Sequence, residues 1–122
     1  MNMNGYLQYK EQSVNTMTPG EMLTLLFDEL LKRLTRADIA LQKKDYATFD
    51  QSMQRSIEIV TYLKNTLNFS YEISEELKQL YDFFLYEFSR IEAGRNSEVI
   101  AEVRPLIADL RDTFKEAQKI SS

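Results

Sequence analysis

Apolar residues recur along this chain at intervals of three and four, the spacing that lines one face of an α-helix. The first run is Met22, Leu23, Leu26, Leu30, Leu34, Ala37 and Leu41, widened by Leu25, Phe27 and Leu31. Thr18, Pro19 and Glu21 open it with a Thr-x-x-Glu capping box and a proline at the first helical position. A second run carries Phe49, Met53, Ile57, Val60, Leu63 and Leu67, with Asp45 as its N-cap and an end near Asn68. A third holds Ile73, Leu77, Leu80, Tyr81, Phe84, Phe88 and Ile91, with Ser70 or Ser74 as cap and Gly94 as stop. The fourth starts at Asn96 or Ser97 and repeats Val99, Val103, Leu106, Leu110, Phe114 and Ala117. Pro105 lies inside it, where the lost amide should kink the helix near residues 101 to 105.

Four such helices joined by short connections predict an all-α fold, an antiparallel up-down-up-down four-helix bundle. Residues 1–17 form a short N-terminal arm or helix, residues 18–120 the four helices, and residues 1–122 one domain. The arm places Tyr6, Leu7 and Tyr9 ahead of a polar stretch and is too short for a stable helix alone. It either staples the end of the bundle or covers a groove from which a client displaces it.

Composition narrows the function mainly by what is missing. There is no His and no Cys among 122 residues. Phosphotransfer histidines, Glu-x-x-His di-iron sites, imidazole-ligated haem and His/Cys zinc sites are therefore excluded. A serine nucleophile would lack its usual imidazole base. The carboxylates Glu72, Glu75 and Glu76, like Asp28 and Glu29, read as solvated helix faces or helix-dipole partners. No Gly-rich phosphate loop or calcium loop is present. The reading is of a protein that is not an enzyme and needs no cofactor or metal.

A net charge of −4 with scattered basic residues speaks against nucleic acid as a partner. The basic pairs Lys32-Arg33 and Lys43-Lys44 are read as surface charge. No run of ~20 apolar residues predicts membrane insertion. No basic n-region leads into an apolar run at the start, so a cytoplasmic location is expected.

What the chain has in excess is aromatic surface: seven Tyr and seven Phe, with no Trp. Tyr81, Phe83, Phe84, Leu85, Tyr86 and Phe88 fall within eight positions. Successive helical residues turn about 100°, so one buried stripe cannot take them all. Leu80, Tyr81, Phe84 and Phe88 are assigned to the core. Phe83, Leu85 and Tyr86 are divided equally between core and interface, since Tyr and Phe are favoured where partners dock.

Several motifs resemble those of the flagellar secretion chaperone FliS family. They are Tyr6-x-x-Tyr9-x-x-x-Ser13-Val14-x-Thr16-x-x-Pro19, then Met22-Leu23-x-x-Leu26-Phe27-Asp28. Leu77-x-x-Leu80-Tyr81-Asp82 and Leu110-Arg111-Asp112 extend the resemblance over nearly the whole chain. This chain has Phe27-Asp28-Glu29 where the family usually has Tyr-Asp-Gly, and Phe114 where it commonly has Trp. The resemblance implies a cytoplasmic export chaperone that binds the C-terminal segment of flagellin. It would prevent premature polymerisation and assist delivery to the flagellar type III export gate. Tyr6 and Tyr9 carry over as arm residues, with Leu7 beside them, in contact with client or gate. Val14, Met17, Phe27, Leu67, Phe69, Tyr81, Phe84, Leu85 and Leu110 are the client-groove candidates that the pattern suggests. A monomer or weak dimer is expected. The alternative is a helical adaptor or oligomerising structural protein with another partner.

Overall fold

The computed structural model describes residues 18–121. They form four helices and, among the described residues, no strand: α1 (Pro19–Gln42), α2 (Tyr46–Asn65), α3 (Ile73–Gly94) and α4 (Ser97–Ser121). Each adjoins the next, and α4 returns to α1, which closes the ring of an up-down-up-down four-helix bundle. The α3–α4 pair makes the fewest close backbone approaches of the four adjoining pairs.

Local signals start and stop the helices. Thr18 caps α1 by accepting the Glu21 amide at 3.1 Å, with Pro19 at the first turn. Asp45 caps α2 by accepting both the amide and the hydroxyl of Thr48. These two bonds hold its carboxyl below the ordinary carboxylate range, the hydroxyl contributing more. Asn96 accepts the amides of Glu98 and Val99 and so begins α4.

Two expectations at helix ends are corrected. α2 stops at Asn65 rather than near Asn68, because Asn68 is used to build the next turn. Its side chain accepts the amide and hydroxyl of Ser70, and its carbonyl accepts the Ser74 hydroxyl at 2.5 Å. Both serines therefore point back at Asn68, and neither caps α3, whose N-cap Glu72 makes no side-chain capping bond. At the other end α3 stops at Gly94 as expected, and Arg95 just beyond it is left-handed at φ 47°. A left-handed arginine costs of order 1 kcal/mol, and its guanidinium lies 3.7 Å over the Tyr46 ring, a cation–π contact that offsets the strain. That contact also ties the α3–α4 turn to the start of α2. Pro105 lies inside α4, which runs from Ser97 to Ser121.

The core is continuous. α1 contributes Phe27, Leu30, Leu31, Leu34, Ala37 and Ala40. α2 contributes Phe49, Met53, Ile59, Val60 and Leu63, α3 contributes Leu77, Tyr81, Phe84, Phe88 and Ile91, and α4 contributes Val99, Ile100, Val103 and Ile107. The stripe of α2 passes through Ser52 and Ser56, both buried, rather than through Ile57 alone. Their small side chains admit α1, and the Ser56 hydroxyl is satisfied by the Ser52 carbonyl at 2.9 Å. On α4 the expected stripe is rotated: Ile100 and Ile107 are inside and Leu106 is outside. On α3, Ile73 points along the core stripe yet is exposed, because it stands at the open end of the bundle.

Phe84 is wholly enclosed and Tyr86 lies 62% exposed on the same helix. Phe84→Ala should destabilise the fold by about 3–5 kcal/mol through the cavity it leaves. Tyr86→Ala should change stability by less than about 0.5 kcal/mol. Urea unfolding followed by circular dichroism reads both.

Candidate client-binding surface

The groove candidates separate by depth. Phe27, Tyr81 and Phe84 are sealed in the core and support a surface from beneath. Leu67, Leu85 and Leu110 are half-buried against that core, and Phe69 is exposed in the α2–α3 turn. Tyr6, Leu7, Tyr9, Val14 and Met17 lie outside the described residues. Phe83 and Tyr86, left open between core and interface, are exposed, whereas Leu85 packs partly against the core.

Helix geometry places these residues on particular seams. Asp82 of α3 pairs with Lys64 of α2 and with Lys78, so the 78–82–85 flank of α3 faces α2. Those two lysines, Lys64 first, hold the Asp82 carboxyl below its ordinary range. At about 100° per residue, Leu80, Phe83 and Glu87 then face α4. On α4, Arg111 pairs with Asp28 of α1 at 3.1 Å, so positions 104, 108, 111 and 115 face α1 and positions 106 and 110 face α3. Antiparallel pairing sets Leu80 opposite Leu110 and Phe83 opposite Leu106. Phe83 is 42% and Leu106 46% exposed, although both look into the α3–α4 seam. This seam thus exposes apolar side chains, with Leu80 and Leu110 partly buried beside them. Sequence periodicity left Phe83 open between core and interface and put Leu106 in the buried stripe, because it cannot tell a closely packed helix pair from a looser one.

The α1–α4 seam is built differently. Phe27 stacks on Phe114 with ring centroids 5.6 Å apart. Beside them Asp28 meets Arg111, so two of the short motifs distant in sequence are joined in space. Arg111 is held more firmly protonated, by Asp112 first and then by Asp28. Three hollows lie along this seam. The largest, about 660 Å³, is bordered by Thr18, Thr24 and Lys115. The others are about 340 and 210 Å³ and share Arg104 and Arg111.

No described helix is long and apolar enough to cross a membrane. Among the described residues no group of three or more Asp, Glu, His or Cys could hold a metal ion.

A four-helix bundle with one apolar seam left open has the form of a polypeptide-binding protein. The comparison with known families gives the class its name. A family model described as flagellar protein FliS matches residues 2–121, and the chain belongs to that family. It is 30% identical over 114 residues to the flagellar secretion chaperone FliS of Bacillus subtilis, spanning 93% of this chain and 86% of the relative. It is 25% identical over 109 residues to the flagellar secretion chaperone FliS of Salmonella typhimurium, spanning 87% of this chain and 81% of the relative. The Vibrio cholerae protein of the same name is 22% identical over 119 residues, spanning 92% and 88%. The family is one of export chaperones for the flagellum and is not a known enzyme family.

Burial pushes the Tyr81 phenol up to about 12. The folded state therefore keeps this proton when the unfolded chain, titrating near pH 10, has lost it. Its contribution to stability is complete below about pH 10 and is lost as pH rises through about 12. Urea midpoints should fall progressively above about pH 10, and Tyr81→Phe should remove part of that fall while changing little at neutral pH.

Proposed function

We propose that this chain is a cytoplasmic chaperone for the C-terminal segment of flagellin. It holds that segment out of premature polymerisation and brings it to the flagellar export gate. The observation that carries the reading is the α3–α4 seam, where Leu80, Phe83, Leu106 and Leu110 leave apolar surface exposed or half-buried along the least closely approaching helix pair. An amphipathic client helix laid there places apolar anchors at helical spacing onto these residues. Leu67, Phe69 and Leu85 lie on the α2 side of α3 and form a second proposed contact, while Tyr81 and Phe84 underlie α3 and Phe27 underlies the α1–α4 seam. Each side chain of Leu or Phe size buried by the client is worth roughly 1.5–3 kcal/mol, against which the ordering entropy of the client is set. Tyr6, Leu7, Tyr9, Val14 and Met17 complete the proposed surface as an arm that shares contact with client and gate.

Calorimetry with the C-terminal segment of flagellin from the same organism tests the reading. The expected result is one-to-one binding with a negative heat-capacity change. Phe83→Asp with Leu106→Asp should keep the helical circular dichroism and weaken binding by about tenfold or more, given the apolar area lost. Absence of binding by the unaltered chain at tens of micromolar (a ~10 μM screen detects affinities near −7 kcal/mol) would sink the assignment. Tyr6→Ala with Tyr9→Ala should leave the urea midpoint nearly unchanged, and a large loss of stability would overturn the arm's proposed role.

A further inference from the structure

Helix α4 separates its charges by side. Glu102 and Asp109 fall toward α3, Glu98 and Glu116 face outward, and Arg104, Arg111 and Lys115 fall on the flank turned toward α1, where Arg111 also pairs with Asp112. Along the α1–α4 seam this brings Lys32, Arg104 and Arg111 around a hollow of about 340 Å³ whose one acidic member is Asp28. Asp28 is already engaged by Arg111. Neither Lys32 nor Arg104 has an ion-pair partner among the described residues. The Arg104 Nε is moreover closed off from solvent with no acceptor. A closed-off donor without a partner costs about 1–3 kcal/mol, and in native proteins such groups carry a reason. In a chain of net charge −4, this is a local excess of positive charge beside a hydrophobic ledge of Leu31, Pro105 and Ala108.

We propose that this hollow receives an acidic side chain of the exported client, an Asp or Glu whose carboxylate is held by the Arg104 guanidinium and the Lys32 ammonium. The inference rests on the client reading above and extends it across α4. The client's apolar face occupies the α3–α4 groove, and a following segment passes over α4 to set its carboxylate on the α1 side. The three hollows lie beside the stretch of α1 from residue 18 to 35, about 25 Å at the helical rise, which is room for several residues of such a segment. A carboxylate there pairs with the guanidinium of Arg104, a planar fork donor that gives the strongest of the ordinary hydrogen-bond geometries. Lys32 is thus reassigned from surface charge to client contact.

The test is calorimetry of the flagellin C-terminal segment against the unaltered chain and against Lys32→Ala with Arg104→Met, at low and at moderate salt. Methionine keeps the stem of Arg104 and removes the unpartnered donor, so the fold should persist, and helical circular dichroism verifies it. The expected result is an affinity about tenfold lower at low salt and a weaker dependence on salt. Replacing the client's Asp and Glu residues one at a time by Asn or Gln should identify one whose loss reproduces the effect and adds nothing in the double variant. If the unaltered chain binds and the double variant binds equally well with the same salt dependence, the inference is overturned while the client reading stands. If the unaltered chain does not bind, both are overturned.

Discussion

The unequal closure of the bundle's four seams is the constraint on which the rest of the molecule depends. α1 and α2 present small residues to one another, Ala37 and Ala40 on one side, Ser52 and Ser56 on the other, all buried. They allow two helices to approach closely without voids. α3 instead fills its inward stripe with Tyr81, Phe84 and Phe88, each enclosed. Against them α4 offers the short side chains Val99, Val103 and Ile107. Three aromatic rings satisfy the centre of the core and leave little for the flanks to bury. Leu80, Phe83, Leu106 and Leu110, on those flanks, stay wholly or partly in solvent. The groove is in this sense a product of core volume: the same rings that stabilise the bundle keep one seam open.

Turn chemistry decides how that seam is held. The Asn68 side chain and carbonyl gather Ser70 and Ser74, which fixes where α3 begins. At the other end Arg95 takes the left-handed conformation and stacks on Tyr46. α3 is therefore anchored at both ends to elements other than its α4 flank. On the opposite side of α4, the Phe27–Phe114 stack and the Asp28–Arg111 pair hold α4 to α1. The pair is partly exposed and contributes little stability by itself; its effect is to set the rotation of α4, and that rotation decides which of its flanks faces which neighbour.

Much of this was legible in the sequence. The periodic runs gave the four helices, and Thr18, Pro19, Asp45 and Asn96 marked three of their starts correctly, because capping is a local interaction among residues within one turn. The errors fall where the deciding partner is distant or small. Ser52 and Ser56 are invisible to a search for large apolar residues, and the stripe of α2 was misread there. The α4 stripe was read through Leu106 rather than Ile100 and Ile107, since two apolar stripes of equal periodicity coexist and only the packing against α1 selects one. Arg95 took the left-handed position beside a glycine because Tyr46, far away in sequence, rewards it. For the site, the aromatic surplus on α3 was evident and Tyr81, Phe84 and Phe88 were placed correctly in the core, but whether Phe83 and Tyr86 are exposed depends on how closely α4 packs against α3.

The charge asymmetry of α4 gives the open seam a polarity that apolar contacts alone cannot supply. A hydrophobic groove accepts an amphipathic helix in either direction, because burial is non-directional. Charged flanks remove that degeneracy: like-charge juxtaposition excludes one orientation and complementary charge admits the other. With acids along the α3 side of α4 and Arg104, Arg111 and Lys115 along its α1 side, a client that crosses α4 is matched only if its basic residues lie over the groove rim and its acidic ones beyond it. The arrangement of charge on one helix thus adds direction to the apolar surface beside it.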